Sequence, residues 1–196
     1  MNKSISKGAQ PTPDSLSVHL CNQGGFTLIE LLVAVGILAI LWAVSPNYRD
    51  VVDSFRMTST TNSFAGALKR ARSEAMVRRV PVAVCASANA GAVGAICNGA
   101  TWDAGWIIFP DVNGDQARAV GAAEPVIIST PARTGFTITD NFTGINVISF
   151  LPSGLLANVG AVAGTVTVCQ TGNPRAGKGI TLNSIGKARI AASACP

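Results

Sequence analysis

Histidine is almost missing from this 196-residue chain: its one imidazole is His19. Residues 20–196 therefore offer no imidazole for general base work or metal binding, and a Ser-His-Asp or Cys-His arrangement is excluded there. There is no Gly-x-x-x-x-Gly-Lys-[Ser/Thr] loop to cradle a nucleotide. Acidic side chains stop at Asp140 and aromatic ones at Phe150, while the tail beyond them keeps Arg175, Lys178, Lys187 and Arg189. Charged residues make up 13% of the chain against 48% hydrophobic, which is too apolar for a disordered chain. The net charge of +5 is modest and does not by itself indicate a nucleic-acid partner. These absences leave little chemistry for an enzyme, and no cofactor is expected.

What is present is a long apolar run, "GGFTLIELLVAVGILAILWAV", from Gly24 to Val44. Counted from Phe26 it holds about 19 residues, or roughly 28 Å of helix, enough to cross the hydrocarbon core of a bilayer. Glu30 interrupts it, and a carboxylate in such a segment is costly unless paired. Residues 1–25 are mostly polar, and Lys3 and Lys7 favour a cytoplasmic N-terminus with the C-terminal part outside. A secretory signal peptide is one reading, with Ala43-Val44-Ser45 as a small-residue cleavage site. The length of the run, the charge near its start and Pro46 directly after the cut count against it.

Gly25-Phe26-Thr27-Leu28-Ile29-Glu30 resembles the class III signal of type IV pilins and type II secretion pseudopilins. That resemblance implies cleavage by a prepilin peptidase after Gly25 and N-methylation of Phe26. It also implies a role for Glu30: neutralising the terminal amine of a neighbouring subunit in the filament core. A buried charge then acts as a register device satisfied on assembly.

Beyond Pro46, which should kink the helix, the sequence keeps a helical rhythm. Tyr48, Val52, Phe55, Ala65, Leu68 and Ala75 recur at spacings that suit one face. The Thr-Ser-Thr-Thr stretch at 58–61 and Gly66 are its weak points. One helix is expected over about residues 26 to 79, ended by the β-type run after Pro81. "LKRARSEAMVRRVPVAVC", with Ala71-Arg72-Ser73-Glu74-Ala75 at its centre, resembles the GspH/FimT branch of minor pilins and pseudopilins, as do "WDAGWIIFPDVNGD" and "FLPSG". The implied fold is α+β and type IV pilin-like: a long N-terminal helix, its first half transmembrane, packed on a C-terminal antiparallel β domain. The implied division is a leader at 1–25, a transmembrane and filament-core segment at 26–45, an outer helix half at 46–80 and a β-rich domain at 81–196. The implied partners are other pilin or pseudopilin subunits, prepilin peptidase and the inner membrane, with the C-terminal domain in the periplasm.

Strands are expected at Val82–Cys85, Gly105–Phe109, Val126–Ser129, Gly135–Thr139, Val147–Leu151, Thr165–Gln170, Gly179–Leu182 and Lys187–Ala191, with Gly, Asn and Pro between them. Trp102, Trp106 and Phe109 read as core residues rather than a ligand box. With Cys21 in the leader, Cys85, Cys97, Cys169 and Cys195 reach an oxidising compartment on the topology above. They allow three pairings, of which Cys85–Cys97 with Cys169–Cys195 closes the two local loops. A zinc site lacks both a Cys-x-x-Cys pair and a histidine. Asp111, Asn113 and Asp115 alternate as at the start of a calcium loop, but the glycine is misplaced and the twelfth position holds no glutamate. Asn113-Gly114 suits a hairpin turn, and no metal is expected.

Lys187 and Arg189 are two apart and would share one face of a strand. In DNA-uptake members of the FimT group a Gly-Arg-x-Arg motif contributes to DNA binding, and Gly186-Lys187-Ala188-Arg189 is similar to it, with lysine for the first arginine. Two readings of Arg175, Lys178, Lys187 and Arg189 stay open. One is a solvated basic face that aids solubility or meets another pilin; the other is a phosphate-binding patch for double-stranded DNA.

Overall fold

The computed structural model describes residues 25–121, 123–142, 146–157 and 164–195, with side chains throughout except at 44–50 and 173–176. Helix α1 runs Leu28–Arg78 and is followed by eight strands: β1 Val82–Ala86, β2 Gly105–Pro110, β3 Ile128–Pro131, β4 Phe136–Asp140, β5 Val147–Phe150, β6 Gly164–Gln170, β7 Asn173–Leu182 and β8 Ala188–Ser193. The chain divides into two compact units, Met1–Pro46 and Asn47–Pro196. The expected effect of Pro46 and the placing of Tyr48 fall outside the described side chains.

In the second unit the strands form two antiparallel sheets, ordered β3-β2-β1-β5 and β4-β6-β7-β8. The helix is amphipathic here. Met57, Thr61, Phe64, Leu68, Ala71 and Ala75 are all buried, at alternating spacings of four and three that make one stripe. The stripe meets Val82, Val84, Trp106, Ile108, Ile148 and Phe150 of the first sheet and Ile138, Val166, Val168, Ile180 and Leu182 of the second. Phe64 lies at its centre, edge-on to Trp102 at 5.1 Å and to Trp106 at 5.0 Å between ring centroids.

One expectation about the helix is corrected, and its weak point is explained. Phe55 is 71% exposed, because the buried stripe passes through Met57 and Phe64 instead. The threonines do not break the helix. Thr58 and Thr61 donate their hydroxyls to the carbonyls of Ser54 and Met57, each at 2.8 Å, so their polar atoms are satisfied inside the helix. Two polar ties then fix this segment to the second sheet: Gln170 Nε2 donates to Asp53 at 2.8 Å, and Lys178 Nζ to Thr58 Oγ1 at 2.7 Å.

The first sheet is covered on both faces, which explains why β1 and β2 read as unbroken apolar runs. Ala83, Cys85, Ile107, Phe109 and Val147 face away from the helix and pack against Ala90 and Ala95. Strand β3 begins two residues later than expected, since Ile127 already donates its N–H to the carbonyl of Ile108 as the chain enters the sheet. Strand β7 begins six residues earlier than expected, at Asn173. Its glycines hide it from a propensity reading, but they have a reason to be there. A Cβ at Gly177 would come within 2.6 Å of Cys195 Sγ and 3.2 Å of Cys169 Sγ, so the disulfide that crosses β7 needs a residue without a side chain beneath it.

Candidate functional site

The first unit carries the processing and assembly candidates. Among the described residues a Cβ at Gly25 would meet nothing within 4 Å beyond its chain neighbours, and Phe26 is 82% exposed. Thr27 caps the helix: its Oγ1 accepts the N–H of Glu30 at 3.3 Å, and its carbonyl accepts that of Leu31. Glu30 thus stands in the first turn, where a carboxylate is favoured by the unpaired N–H groups and the helix dipole. The sequence reading missed this local role, although Thr27-x-x-Glu30 has the spacing of a capping box. Every described side chain from Leu28 to Ala43 is exposed, on all sides of the helix. A helix apolar around its whole circumference needs a surrounding phase or partner. Among the described residues no helix is long and apolar enough to cross a membrane.

The four basic candidates do not form one patch. Arg175 belongs to β7, but its side chain is outside the described ones. Lys178 shares the inner face of β7 with Ile180 and Leu182 and is committed to Thr58 on the helix. It is therefore removed from any outward basic surface, because strand alternation turns it toward the core. Lys187 and Arg189 are both exposed. Arg189 pairs in register with Thr181, whose side chain is also exposed, on the outer face of the sheet. Among the described residues neither has an acidic side chain at ion-pair distance.

The glycine of this stretch has a packing role. Gly186 has φ +73°, and a Cβ there would collide with the carbonyl oxygen of Gly154 and approach Arg72 Nε at 3.2 Å and Phe150 at 3.3 Å. Arg72 Nε donates to the Gly154 carbonyl at 2.9 Å. The helix, the Phe150–Gly154 turn and the turn before Lys187 thus meet at one guanidinium. Cys85 is joined to Cys97 and Cys169 to Cys195, closing separations of 12 and 26 residues. Cys21 lies outside the described residues.

The profile of the family described as "Type II transport protein GspH" matches residues 60–186, and that of the prokaryotic N-terminal methylation motif matches residues 20–44. The chain belongs to the GspH family. The match covers most of the second unit of this GspH protein, and the methylation motif includes Gly25, Phe26 and Glu30.

Two solved structures share the fold. Two crystal forms of the type IV minor pilin FimU of Pseudomonas aeruginosa are similar, at 19% and 18% identity with TM-scores of 0.51 and 0.53. They cover 68% and 71% of this chain and 91% and 90% of theirs. The minor pseudopilin EpsH from the type 2 secretion system of Vibrio cholerae has 14% identity and a TM-score of 0.47, covering 70% of this chain and 97% of its own. Among curated proteins none matches the chain. The α+β, type IV pilin-like fold expected from the sequence is the one found.

Within the region matched to GspH, the stretch 71–75 explains itself residue by residue. Ala71 and Ala75 are fully buried and leave room for the sheets to approach the helix. Arg72 reaches Gly154 as described above. Glu74 lies between Arg70 at 2.6 Å and Arg78 at 2.5 Å, one turn before and after it. The Arg78 hydrogen bond holds the Glu74 carboxyl below the usual carboxylate range against the opposing effect of burial, and the charges of Arg70 and Arg78 add to it.

Proposed function

We propose that this GspH-family chain is a structural subunit, a minor pilin or pseudopilin, of a type IV pilus or type II secretion pseudopilus. It acts by assembling rather than by catalysis. One observation carries the reading: an apolar helix exposed on every side, whose first turn holds a single carboxylate four residues after the Gly25-Phe26 junction. In this reading residues 1–25 are removed by prepilin peptidase, and Phe26 becomes the methylated terminus. Residues 26–45 reside in the inner membrane and later in the filament core. Residues 46–80 continue the helix into the periplasm, where 81–196 form the β-rich body.

Glu30 has two stages in this account. In the lone subunit it stands at the helix N-terminus, near the interface, where the dipole favours it. In the filament it neutralises the amine of a neighbour's Phe26, a pairing that a low-dielectric core makes worth keeping. Glu30→Ala is expected to leave processing after Gly25 intact and to abolish incorporation into filaments, read by immunoblot of sheared filaments against membrane fractions. Normal incorporation of the variant would overturn the pairing.

A second reading is supported by the exposure of Lys187, in the turn just before β8, and of Arg189, on the outer face of that strand, although Lys187 does not lie on the strand as expected. This reading makes the subunit a receptor for double-stranded DNA in natural transformation. Two cations that each displace about one counterion predict weak binding with a modest salt dependence. Replacing both Lys187 and Arg189 by Gln is expected to lower the slope of log K against log salt by about 1.8. If the full chain causes no mobility shift of duplex DNA at low salt, the receptor reading fails and the subunit reading stands.

A further inference from the structure

The loop after β2 contains charge that the filament reading does not use. Asp111 follows Pro110 directly and is 1% exposed; Glu124, at the other end of the loop, is 2% exposed. Glu124 accepts the N–H of Val112 at 3.1 Å and of Ala119 at 2.8 Å. Asp111 Oδ2 accepts the N–H of Gln116 at 3.2 Å and the carboxylate also interacts with the Gly114 backbone, while Oδ1 is buried without a hydrogen bond of normal geometry. Among the described residues neither acid has a cationic side chain at ion-pair distance. Arg118, the cation of the loop, donates instead to the backbone carbonyls of Glu124 and Ala95. Two buried carboxylates without an ion-pair partner, one with an oxygen that makes no hydrogen bond of normal geometry, are costly unless something further compensates them.

Both sequence objections to a calcium loop lose force here. The sixth position of such a loop needs a left-handed backbone, normally from glycine; Gln116 stands there and adopts φ +61°. The missing glutamate at the twelfth position is replaced by Glu124, two residues later and buried. The odd positions hold their loop as the motif requires. Asp115 donates its N–H to Asn113 Oδ1 at 3.3 Å, and Asp115 Oδ1 accepts the N–H of Ala117 at 2.8 Å.

We propose that the Asp111–Glu124 loop is a calcium site, with Asp111 Oδ1 as its buried anchor, Asn113 and Asp115 as ligands from alternate positions, and Glu124 as the second buried negative charge. The donors are all oxygens, which selects a hard cation. The irregular loop suits the flexible coordination of calcium better than the strict octahedron of magnesium. Among the described residues no three His, Cys, Asp or Glu side chains are already clustered tightly enough to hold a metal ion. Asp115 must therefore turn from Asn113 Nδ2, which donates to its Oδ2 at 2.7 Å, toward Asp111. That rearrangement costs affinity and places the site with weak extracellular modules, at a Kd of about 10⁻⁴ to 10⁻³ M.

The test uses the full chain in detergent, freed of metal with a chelator and titrated calorimetrically with calcium chloride. One saturable site is expected, with a rise in Tm of about 3–6 °C in excess calcium that the chelator reverses. Asp111→Asn and the exposed Asp115→Asn are each expected to weaken binding by about ten-fold or more, in line with the loss of ligand charge. If Asp111→Asn does not fold, Asp115→Asn decides alone, because its side chain lies outside the core. Absence of saturable calcium binding to the wild type would overturn the proposal. So would binding unchanged in Asp115→Asn, and so would magnesium binding as tightly as calcium.

Discussion

Phe64→Ala is expected to lower the unfolding free energy of the Asn47–Pro196 unit by about 3–5 kcal/mol, the usual cost of deleting a buried aromatic ring. Phe64 is fully buried, where the helix stripe meets both sheets. Its ring stands at 85° to Trp102 and 76° to Trp106, so removing it strips an edge-to-face partner from each indole as well as leaving a void. The void cannot close easily, because both indoles are held by other elements. Trp102 Nε1 donates to Asp140 at 2.6 Å at the end of β4, and Trp106 lies within β2 with both neighbouring strands paired. Phe64→Leu keeps most of the volume and is expected to cost less than half as much. Urea unfolding followed by tryptophan fluorescence measures both; a change below about 1 kcal/mol for the alanine variant would contradict this account of the core.

The elements that can be read from the sequence are those whose period matches one buried face. The second half of α1 shows this, as do β1, β2 and β6, whose apolar residues either alternate or run unbroken according to how many faces are covered. What could not be read depends on contacts between distant segments. Phe55 and Phe64 are equally apolar, and only the sheets decide that the stripe passes through Phe64. Lys178 looks like a member of a basic tail until strand parity turns it toward Thr58. Strand β7 has Pro174, Gly177 and Gly179 in it, residues that propensity assigns to a turn; Gly177 is needed where the disulfide crosses, and Gly179 where Ser193 and Thr165 come close. At the candidate sites the Gly25-Phe26-Thr27-Leu28-Ile29-Glu30 motif was legible, since its residues act locally. Asp111 was legible as the first of three alternating polar residues, but its burial and the part of Glu124, which accepts from Val112 and Ala119, depend on how the loop folds.

That crossing disulfide supports the second prediction. Replacing Cys169 and Cys195 together by Ala is expected to destabilise the Asn47–Pro196 unit by about 3.5 kcal/mol, the value that the chain-entropy relation gives for the 26-residue separation. The bond does more than shorten the unfolded chain. It joins β6 to the residue two beyond the end of β8, passing over β7 at Gly177. Strand β8 is the edge of its sheet, and most of its side chains are exposed. Little burial holds it, so its stability depends on the β7 ladder and on this covalent strap. The loss should therefore be uneven: amide exchange at Ile190, Ala191 and Ala192 should accelerate far more than at Ile107 or Ile108, which lie in the other sheet. Gly177→Ala is a control with the cysteines intact, since its new methyl group would press on both sulfurs and strain the same crossing. Uniform acceleration across both sheets would show that the strap acts only on the unfolded chain. A loss below about 1 kcal/mol would show that β8 is held by its ladder alone.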